Sequence, residues 1–303
     1  MKAVATVCPE TAPLAATRLA DYLELTKPRV AVLVLFTVAA GVVLADGRAM
    51  GGLVLLHTLI GTALVAAGAS ALNQWLERQS DALMKRTENR PLPAGRLQPL
   101  EAVVFGAGLG LAGVGYLAVT LRHPWAALVA AVTFACYVFI YTPLKRRTPL
   151  NTLVGAVPGA LPPVIGWVAA RGSLDWGAGV LFVILFLWQV PHFLAIAWIY
   201  RDDYGRAGLR MLTVTDPDGR LTGRQMVTYC LALVAASLWP VLLGSAGLLY
   251  LAGALLLGLG FLASAVGFCR ACTMAQARRV LRASLIYLPA LLTLLLLSVV
   301  SSP

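Results

Sequence analysis

Nine long apolar stretches follow one another along this chain, separated by shorter polar segments. A stretch of about 20 predominantly apolar residues can cross the hydrocarbon core of a bilayer as a helix. Within lipid, a helix also satisfies its own backbone hydrogen bonds. The sequence therefore predicts an all-α membrane protein, a bundle of about nine transmembrane helices. We place the spans near residues 28–46, 52–72, 100–120, 124–143, 152–170, 177–199, 226–244, 247–268 and 283–300.

The composition argues against a soluble domain. Charged residues make up 12% of the 303 residues and hydrophobic residues 59%, whereas soluble domains contain about 25% charged residues. Residues 1–20 lack a continuous apolar core, so they are expected to form a loose N-terminal tail before a single transmembrane domain over residues 21–303. No soluble domain remains to bind nucleic acid. The net charge of +11 is therefore interpreted as a consequence of membrane topology and of a cytoplasmic face suited to anions.

The distribution of basic residues predicts how the bundle is oriented. Lys and Arg near the ends of spans are retained on the cytoplasmic side. If the predicted spans alternate in direction, 21 of the 24 Lys and Arg residues fall on one side, and the other side receives only Arg48, Arg122 and Arg171. We therefore expect the N-terminus in the cytoplasm and the C-terminus outside.

The polar segment after the second predicted span, residues 73–97, carries the clearest functional pattern. Asn73, Glu77 and Asp81 recur every four residues, so on a helix they form one stripe with a spacing of about 6 Å. Oxygen ligands of this kind suit Mg²⁺. Arg86 and Arg90 follow closely and could hold an anion beside that cation. The pattern predicts a site for a magnesium-bound diphosphate at a membrane surface.

Two other basic segments fall on the same predicted side. Lys27 and Arg29 precede the first span, and Lys145 and Arg146 follow the fourth. Anchoring of the spans is one interpretation of both pairs. Contact with the diphosphate is the other, and the residues alone do not decide between them.

A second acidic patch lies where the sixth span meets the surface. Asp202 and Asp203 occupy a position equivalent to that of the first stripe, four spans earlier. Such an equivalence is consistent with an internal duplication. Within the same span, His192 lies about 13 Å beneath the interface. An ionisable group inside a span marks a functional site, unless it is bonded to Gln189 or to backbone.

The fifth predicted span contains three prolines. Pro158, Pro162 and Pro163 are expected to kink or break the fifth span, which is tolerated where a cavity or neighbouring helices satisfy the freed carbonyls. We therefore predict that this span forms a cavity wall.

Cys269 and Cys272 form a Cys-x-x-Cys pair. No second pair completes a metal site, so no metal site is expected at these cysteines.

Four motifs in order resemble the UbiA-type intramembrane prenyltransferases, and more narrowly the branch of that family that farnesylates haem. They are Asn-x-x-x-Glu-x-x-x-Asp with the following Met-Lys-Arg-Thr-Glu-Asn-Arg-Pro, and the segments 141–151, 188–193 and 200–211. The resemblance implies a nine-helix bundle that transfers farnesyl from farnesyl diphosphate to a vinyl group of haem B. Water is added and diphosphate released, giving haem O. We expect the protein in a bacterial inner membrane, with its active site on the cytoplasmic side that the basic residues indicate.

The resemblance also implies roles for individual residues. Asn73, Glu77 and Asp81 would hold one magnesium ion, and Asp202 and Asp203 a second, with Asp81 and Asp203 essential for turnover. The residues expected on the diphosphate are Arg86, Arg90, Lys145 and Arg146, and His192 is expected near the haem, where it contacts the iron or activates the added water. Two positions depart from the family pattern: Glu77 replaces the usual Asp, and Tyr200 stands where a further Asp is expected.

Three other functions remain as alternatives. One is a UbiA-type prenyltransferase that acts on an aromatic quinone precursor. A transporter is another, although it would spread ionisable residues through the bilayer midplane rather than gather acids at one face. The third is a non-enzymatic assembly factor for a respiratory oxidase. Beyond its substrates and membrane lipid, the expected partners are the next haem-modifying enzyme or a terminal oxidase, and nucleic acid is not expected.

Overall fold

The computed structural model describes residues 14–46 and 51–301. Within these residues every regular element is helical. The α-helices are α1 (Leu14–Leu25), α2 (Pro28–Asp46), α3 (Gly52–Asp81), α4 (Pro99–Thr120), α5 (Trp125–Ala135), α6 (Thr142–Leu144), α7 (Asn151–Ala160), α8 (Pro162–Arg171), α9 (Trp176–Ile199), α10 (Arg201–Arg206), α11 (Leu212–Thr215), α12 (Arg220–Ala236), α13 (Trp239–Leu242), α14 (Leu248–Ala271) and α15 (Met274–Ser301). A π-helical segment, Cys136–Tyr141, joins α5 to α6.

In the described residues, nine helical stretches are long and apolar enough to span a membrane, which confirms the predicted class of fold. They are Pro28–Ala45, Gly52–Asp81, Pro99–Thr120, Trp125–Leu144, Asn151–Arg171, Trp176–Ile199, Arg220–Leu242, Leu248–Ala271 and Met274–Ser298. The orientation of the termini stays a prediction, and of the three basic residues assigned to the outer side, Arg48 lies outside the described residues.

Three predicted span ends differ from the observed helices. Helix α3 continues to Asp81 rather than ending near residue 72, α12 begins at Arg220 rather than near 226, and α15 begins at Met274 rather than near 283. Hydropathy detects the part of a helix that lies in hydrocarbon. The backbone stays helical beyond that part, where polar side chains meet the interface or the protein interior.

Glycines bring α3 and α4 into backbone contact. A Cβ placed on Gly68 would lie 2.5 Å from the carbonyl oxygen of Gly106, and one on Gly113 would lie 2.7 Å from the backbone nitrogen of Val65. Small residues allow helices to approach closely in membranes. Gly106 and Gly113 of α4 therefore serve close helix packing, whereas Gly108 and Gly115 have open space around them.

The fifth span is broken, as its prolines predict. Helix α7 ends at Ala160 and α8 begins at Pro162, with Leu161 between them. Helix α2 packs closely against α8, because a Cβ on Gly41 would lie 2.1 Å from the carbonyl oxygen of Pro163. This break contributes to the wall of an internal cavity, which is also lined by Pro158 and Pro162.

Helix α9 lies at the centre of the bundle, with two thirds of its span buried. Its first turn is capped by Asp175, whose carboxylate accepts hydrogen bonds from the backbone N–H groups of Gly177 and Ala178. Helices α7, α8, α12 and α15 pack around it. Side chains from α9 therefore reach the interior of the bundle, which is where His192 lies.

Candidate functional site

A cavity of about 560 Å³ extends into the bundle between α2, α3, α7 and α9. One end is charged and lies near the loops that follow α3 and α6. The other end is lined by apolar side chains such as Val65, Ile165 and Leu185. The cavity therefore joins a site suited to ions with a chamber suited to an apolar ligand.

The predicted polar stripe lies at the charged end. Asn73, Glu77 and Asp81 share one face of α3, and all three are buried and line the cavity. The amide of Asn73 donates to Thr142 Oγ1 at 3.2 Å, and its Oδ1 accepts from Lys27 Nζ at 2.8 Å. The predicted spacing on a helix is thus confirmed, and Lys27 joins the stripe.

Both carboxylates of the stripe are paired with basic residues. Lys145 Nζ lies 2.6 Å from Glu77 Oε1, and Arg90 Nη1 lies 2.7 Å from Asp81 Oδ2. The second oxygen of Asp81, Oδ1, is buried without a hydrogen-bond partner among the described residues. A buried carboxylate oxygen without a partner is costly, and an oxygen ligand for Mg²⁺ would be satisfied there. These residues therefore fit a divalent cation.

Positive charge exceeds negative charge at this end. Five basic residues line the cavity against the two acids of the stripe, and they are Lys27, Arg29, Arg86, Arg90 and Lys145. Burial, together with the charges of Arg90 and Lys145, lowers the pKa of Lys27 to about 7. Burial would also lower the pKa of Lys145, but the adjacent Glu77 carboxylate outweighs it and holds that pKa well above its ordinary value. Such a surplus of positive charge favours an anion.

The junction between α1 and α2 holds Lys27 in an unusual backbone conformation. Its φ is +50°, in the left-handed region, which is disfavoured for residues other than glycine. Its side chain still reaches Asn73. Strained residues of this kind concentrate at functional sites. The sequence contained the residue but offered no signal for the strain.

Arg86 and Arg146 occupy different surroundings. Arg86 lines the cavity, and its guanidinium carbon lies 4.6 Å from the ring centroid of Tyr200 and 5.8 Å from that of Tyr204. Arg146 does not line the cavity, and its Nη2 lies 3.4 Å from Ser80 Oγ. Three of the four basic residues expected on the diphosphate thus border the cavity, and Arg146 does not.

The second acidic patch lies on the short helix α10. Helix α9 ends before Tyr200, and α10 carries Asp202, whose side chain is 88% exposed, and Asp203, which pairs with Arg206. Neither aspartate lines the cavity. In the part of the chain that the structure describes, no group of three or more His, Cys, Asp or Glu side chains is arranged to hold a metal ion. A role for Asp202 and Asp203 in metal binding stays a prediction.

The deeper part of the cavity is bordered by the aromatic cluster of α9. The rings of His192 and Trp188 are stacked with centroids 4.8 Å apart, and Phe193 meets His192 edge-on at 5.4 Å. His192 Nδ1 lies 2.8 Å from Ser284 Oγ. Gln189 bonds instead to the carbonyls of Ala156 and Leu185. Gln189 is therefore not the partner of His192, contrary to one alternative considered from the sequence.

Comparison with known proteins identifies the family. The model of the UbiA prenyltransferase family matches residues 34–297. The chain belongs to the UbiA prenyltransferase family. This family member is 51% identical to a protein named Protoheme IX farnesyltransferase from Solibacter usitatus (strain Ellin6076), over 91% of this chain and 98% of the relative. It is 47% identical to a protein of the same name from Salinibacter ruber (strain DSM 13855 / M31), over 91% of this chain and 97% of the relative.

Solved structures share the fold of this UbiA family member. A structure described as that of digeranylgeranylglyceryl phosphate synthase in membranes superposes with a TM-score of 0.80 at 17% identity, covering 94% of this chain and all of the other. A UbiA homolog from Archaeoglobus fulgidus bound to GPP and Mg²⁺ superposes with a TM-score of 0.61 at 14% identity, covering 93% of this chain and all of the other. At these identities the likeness establishes the fold.

Two aromatic residues of the site were missed by sequence reasoning. Tyr137 and Tyr141 belong to the π-helical segment and line the cavity. The Nζ atom of Lys145 lies 4.6 Å from the centroid of the Tyr141 ring. The four-residue spacing of Tyr137, Tyr141 and Lys145 was the available signal, because a helix places such residues on one face. In this UbiA family member they line the cavity, and Tyr141 contacts the same Lys145 that pairs with Glu77 of the acidic stripe.

Proposed function

We propose that this UbiA family member transfers a farnesyl group from farnesyl diphosphate to a vinyl group of haem B, adding water and giving haem O and diphosphate. The observation that carries the proposal is the continuity of one cavity from the Asp81 carboxylate to the aromatic stack at His192. Relatives named Protoheme IX farnesyltransferase at 51% and 47% identity support the choice of acceptor.

The charged end is proposed to bind the diphosphate with magnesium. Glu77 and Asp81, with Asn73, would hold one ion, a role supported by the unpartnered Oδ1 of Asp81. Asp202 and Asp203 are proposed to hold a second. When bound, Mg²⁺ neutralises the charge that develops on the departing diphosphate.

The basic residues of this end are proposed to bind the diphosphate directly. Lys145 and Arg90 now neutralise the stripe carboxylates at 2.6 and 2.7 Å. Once cations occupy those carboxylates, both side chains can turn to the diphosphate oxygens, together with Arg86. Arg146 would add long-range attraction from behind Ser80.

In the proposed reaction, each bond that breaks is matched by a bond that forms. The bond between farnesyl C1 and the diphosphate oxygen breaks, and its electron pair leaves with the diphosphate. The terminal vinyl carbon of the haem forms the new C–C bond, and water adds to the other vinyl carbon and releases one proton. The rings of Tyr137, Tyr141 and Trp188 line the cavity between its charged and its deeper end. Aromatic faces stabilise positive charge.

The distribution of Lys and Arg supports a proposed orientation of the chain in the membrane. The membrane-spanning domain, residues 21–303, is proposed to lie in the bacterial inner membrane with the charged end of its cavity on the cytoplasmic side. Residues 1–20, of which 14–20 belong to α1, would lie on that side too. The asymmetry of Lys and Arg supports this orientation.

The experiment incubates purified protein with haem B, farnesyl diphosphate and MgCl₂ and follows the product by mass. A haem adduct carrying farnesyl plus water is expected, and chelation of magnesium should abolish it. Asp81→Ala and Asp203→Ala should lose turnover while still folding. Asp218→Ala is the matched control, because Asp218 is an exposed acid of the same polar segment as Asp203.

Two results would contradict the proposal. One is prenylation of an aromatic quinone precursor with no product from haem B. The other is a wild-type rate from Asp81→Ala. That result would show that the charged end of the cavity takes no part in the reaction. A wild-type rate from Asp203→Ala alone would overturn only the second magnesium site.

A further inference from the structure

Ser284 of α15 holds both rings of the aromatic stack on α9. Its backbone carbonyl accepts a hydrogen bond from Trp188 Nε1 at 2.8 Å, and its hydroxyl lies 2.8 Å from His192 Nδ1. Ser284 is fully buried, and Trp188 and His192 are only 5% and 9% exposed. One residue of the last helix therefore fixes the position of two side chains that line the cavity.

The hydrogen bonds of Ser284 also favour one tautomer of His192. Ser284 Oγ lies 2.7 Å from the carbonyl oxygen of Leu281, which can only accept a hydrogen bond. A hydroxyl has a single proton to donate. When that proton is donated to Leu281, Nδ1 of His192 must be the donor in its hydrogen bond to Ser284 Oγ. A neutral imidazole protonated at Nδ1 carries its lone pair on Nε2.

The Nε2 atom is available for a ligand. No described residue forms a hydrogen bond with Nε2, and His192 lines the cavity. The neighbouring polar side chain, Gln189, is already directed to two backbone carbonyls. A histidine that ligates a metal almost always donates its other ring N–H to a fixed acceptor, which orients the ring and raises its basicity. Ser284 provides that acceptor.

We propose that Ser284 is a positioning residue that holds His192 as the Nδ1–H tautomer, so that Nε2 ligates the iron of the haem acceptor. The inference rests on the proposed function, because it requires haem to enter the chamber. Iron is the one centre of a haem that binds a neutral nitrogen lone pair. Ligation would seat the porphyrin against the Trp188 side of the cavity before the farnesyl group is transferred.

The test is a titration of purified protein with ferric haem B, without farnesyl diphosphate, followed by visible absorption and electron paramagnetic resonance. The wild type should show an axial nitrogen ligand. His192→Ala should lose that signature and regain it when imidazole is added. Ser284→Ala should bind haem about tenfold more weakly, as is typical when the hydrogen-bond partner of a metal ligand is lost. Ser284→Thr retains the hydroxyl and should restore the signature.

Ser264→Ala is the matched control. Ser264 is also a helical serine whose hydroxyl donates to a carbonyl of its own helix, that of Phe261 at 2.6 Å, and it does not line the cavity. This variant should bind haem like the wild type. Thermal unfolding of each variant in detergent separates a folding defect from a loss of ligation.

The inference is overturned if His192→Ala retains the wild-type spectrum, or if folded Ser284→Ala binds haem with unchanged affinity. A comparison on the wild type needs no variant: haem B should bind more tightly than iron-free protoporphyrin IX, and equal affinity also overturns the inference. Haem product formed without a nitrogen-ligated spectrum contradicts this inference alone. A nitrogen-ligated spectrum without product contradicts the proposed function instead.

Discussion

Lys145 Nζ lies 2.6 Å from Glu77 Oε1, and this ion pair ties the loop after α6 to the polar stripe of α3. Both side chains are largely buried, at 15% and 11% exposure. Removal of one partner from a buried pair leaves an uncompensated charge, which is more damaging than removal of both. The pair therefore serves stability in the structure described here, and its two members are also proposed to separate when substrate binds.

A double-mutant cycle tests the stabilising part of this relationship. Glu77→Gln and Lys145→Gln should each lower the free energy of unfolding by about 3 kcal/mol. The double variant should recover much of that loss because no unpaired charge remains, yet it should stay inactive. Unfolding in detergent and product formation measure the two effects. Strictly additive losses would show that the two residues do not interact.

Arg86 and Arg146 should differ in their effect on substrate binding. Arg86 lines the cavity, and Arg146 does not. We expect Arg86→Gln to raise the KM for farnesyl diphosphate at least tenfold, since a hydrogen bond to a charged group contributes about 1.5–3 kcal/mol. Arg146→Gln, the matched control, should have a smaller effect. Steady-state kinetics at saturating haem B measure both, and equal effects would contradict the assignment.

Two glycines of the α3 and α4 pair should respond oppositely to alanine. Gly68→Ala should destabilise the protein by about 1–3 kcal/mol, because its Cβ would lie 2.5 Å from the backbone oxygen of Gly106. Gly108→Ala should be neutral or stabilising by up to about 1 kcal/mol, since its Cβ meets no atom within 4 Å. Thermal unfolding in detergent compares them. A stable Gly68→Ala variant would mean that the two helices can separate freely.

Gly159 makes room for the amide of Gln189. A Cβ at residue 159 would lie 1.9 Å from Gln189 Oε1, so Gly159→Ala must displace that side chain. We expect a loss of about 1–3 kcal/mol of stability and a lower kcat/KM for haem B. Gln189→Ala removes the clash, so the double variant should be no worse than Gln189→Ala alone. If the losses of the two single variants simply add in the double variant, Gly159→Ala acts through a residue other than Gln189.

Several features of the fold and site could be predicted from the sequence because they depend on local pattern. The length of the apolar stretches identified the membrane spans of the described residues. The four-residue spacing of Asn73, Glu77 and Asp81 placed them on one helical face, and the prolines of the fifth span predicted its break. The family resemblance carried by the motifs was confirmed by the match over residues 34–297.

The pairings inside the cavity were decided by the tertiary structure. Glu77 meets Lys145 across 68 residues, and His192 meets Ser284 across 92. Neither distance in sequence corresponds to a helical period, so the pairs exist only because separate helices pack at a particular depth and rotation. Likewise, the cavity is lined by Tyr204 of α10 but not by Asp202 or Asp203 of the same helix. The sequence by itself determined which helices form and which side chains share a face. Only the packing of those helices decided which faces meet.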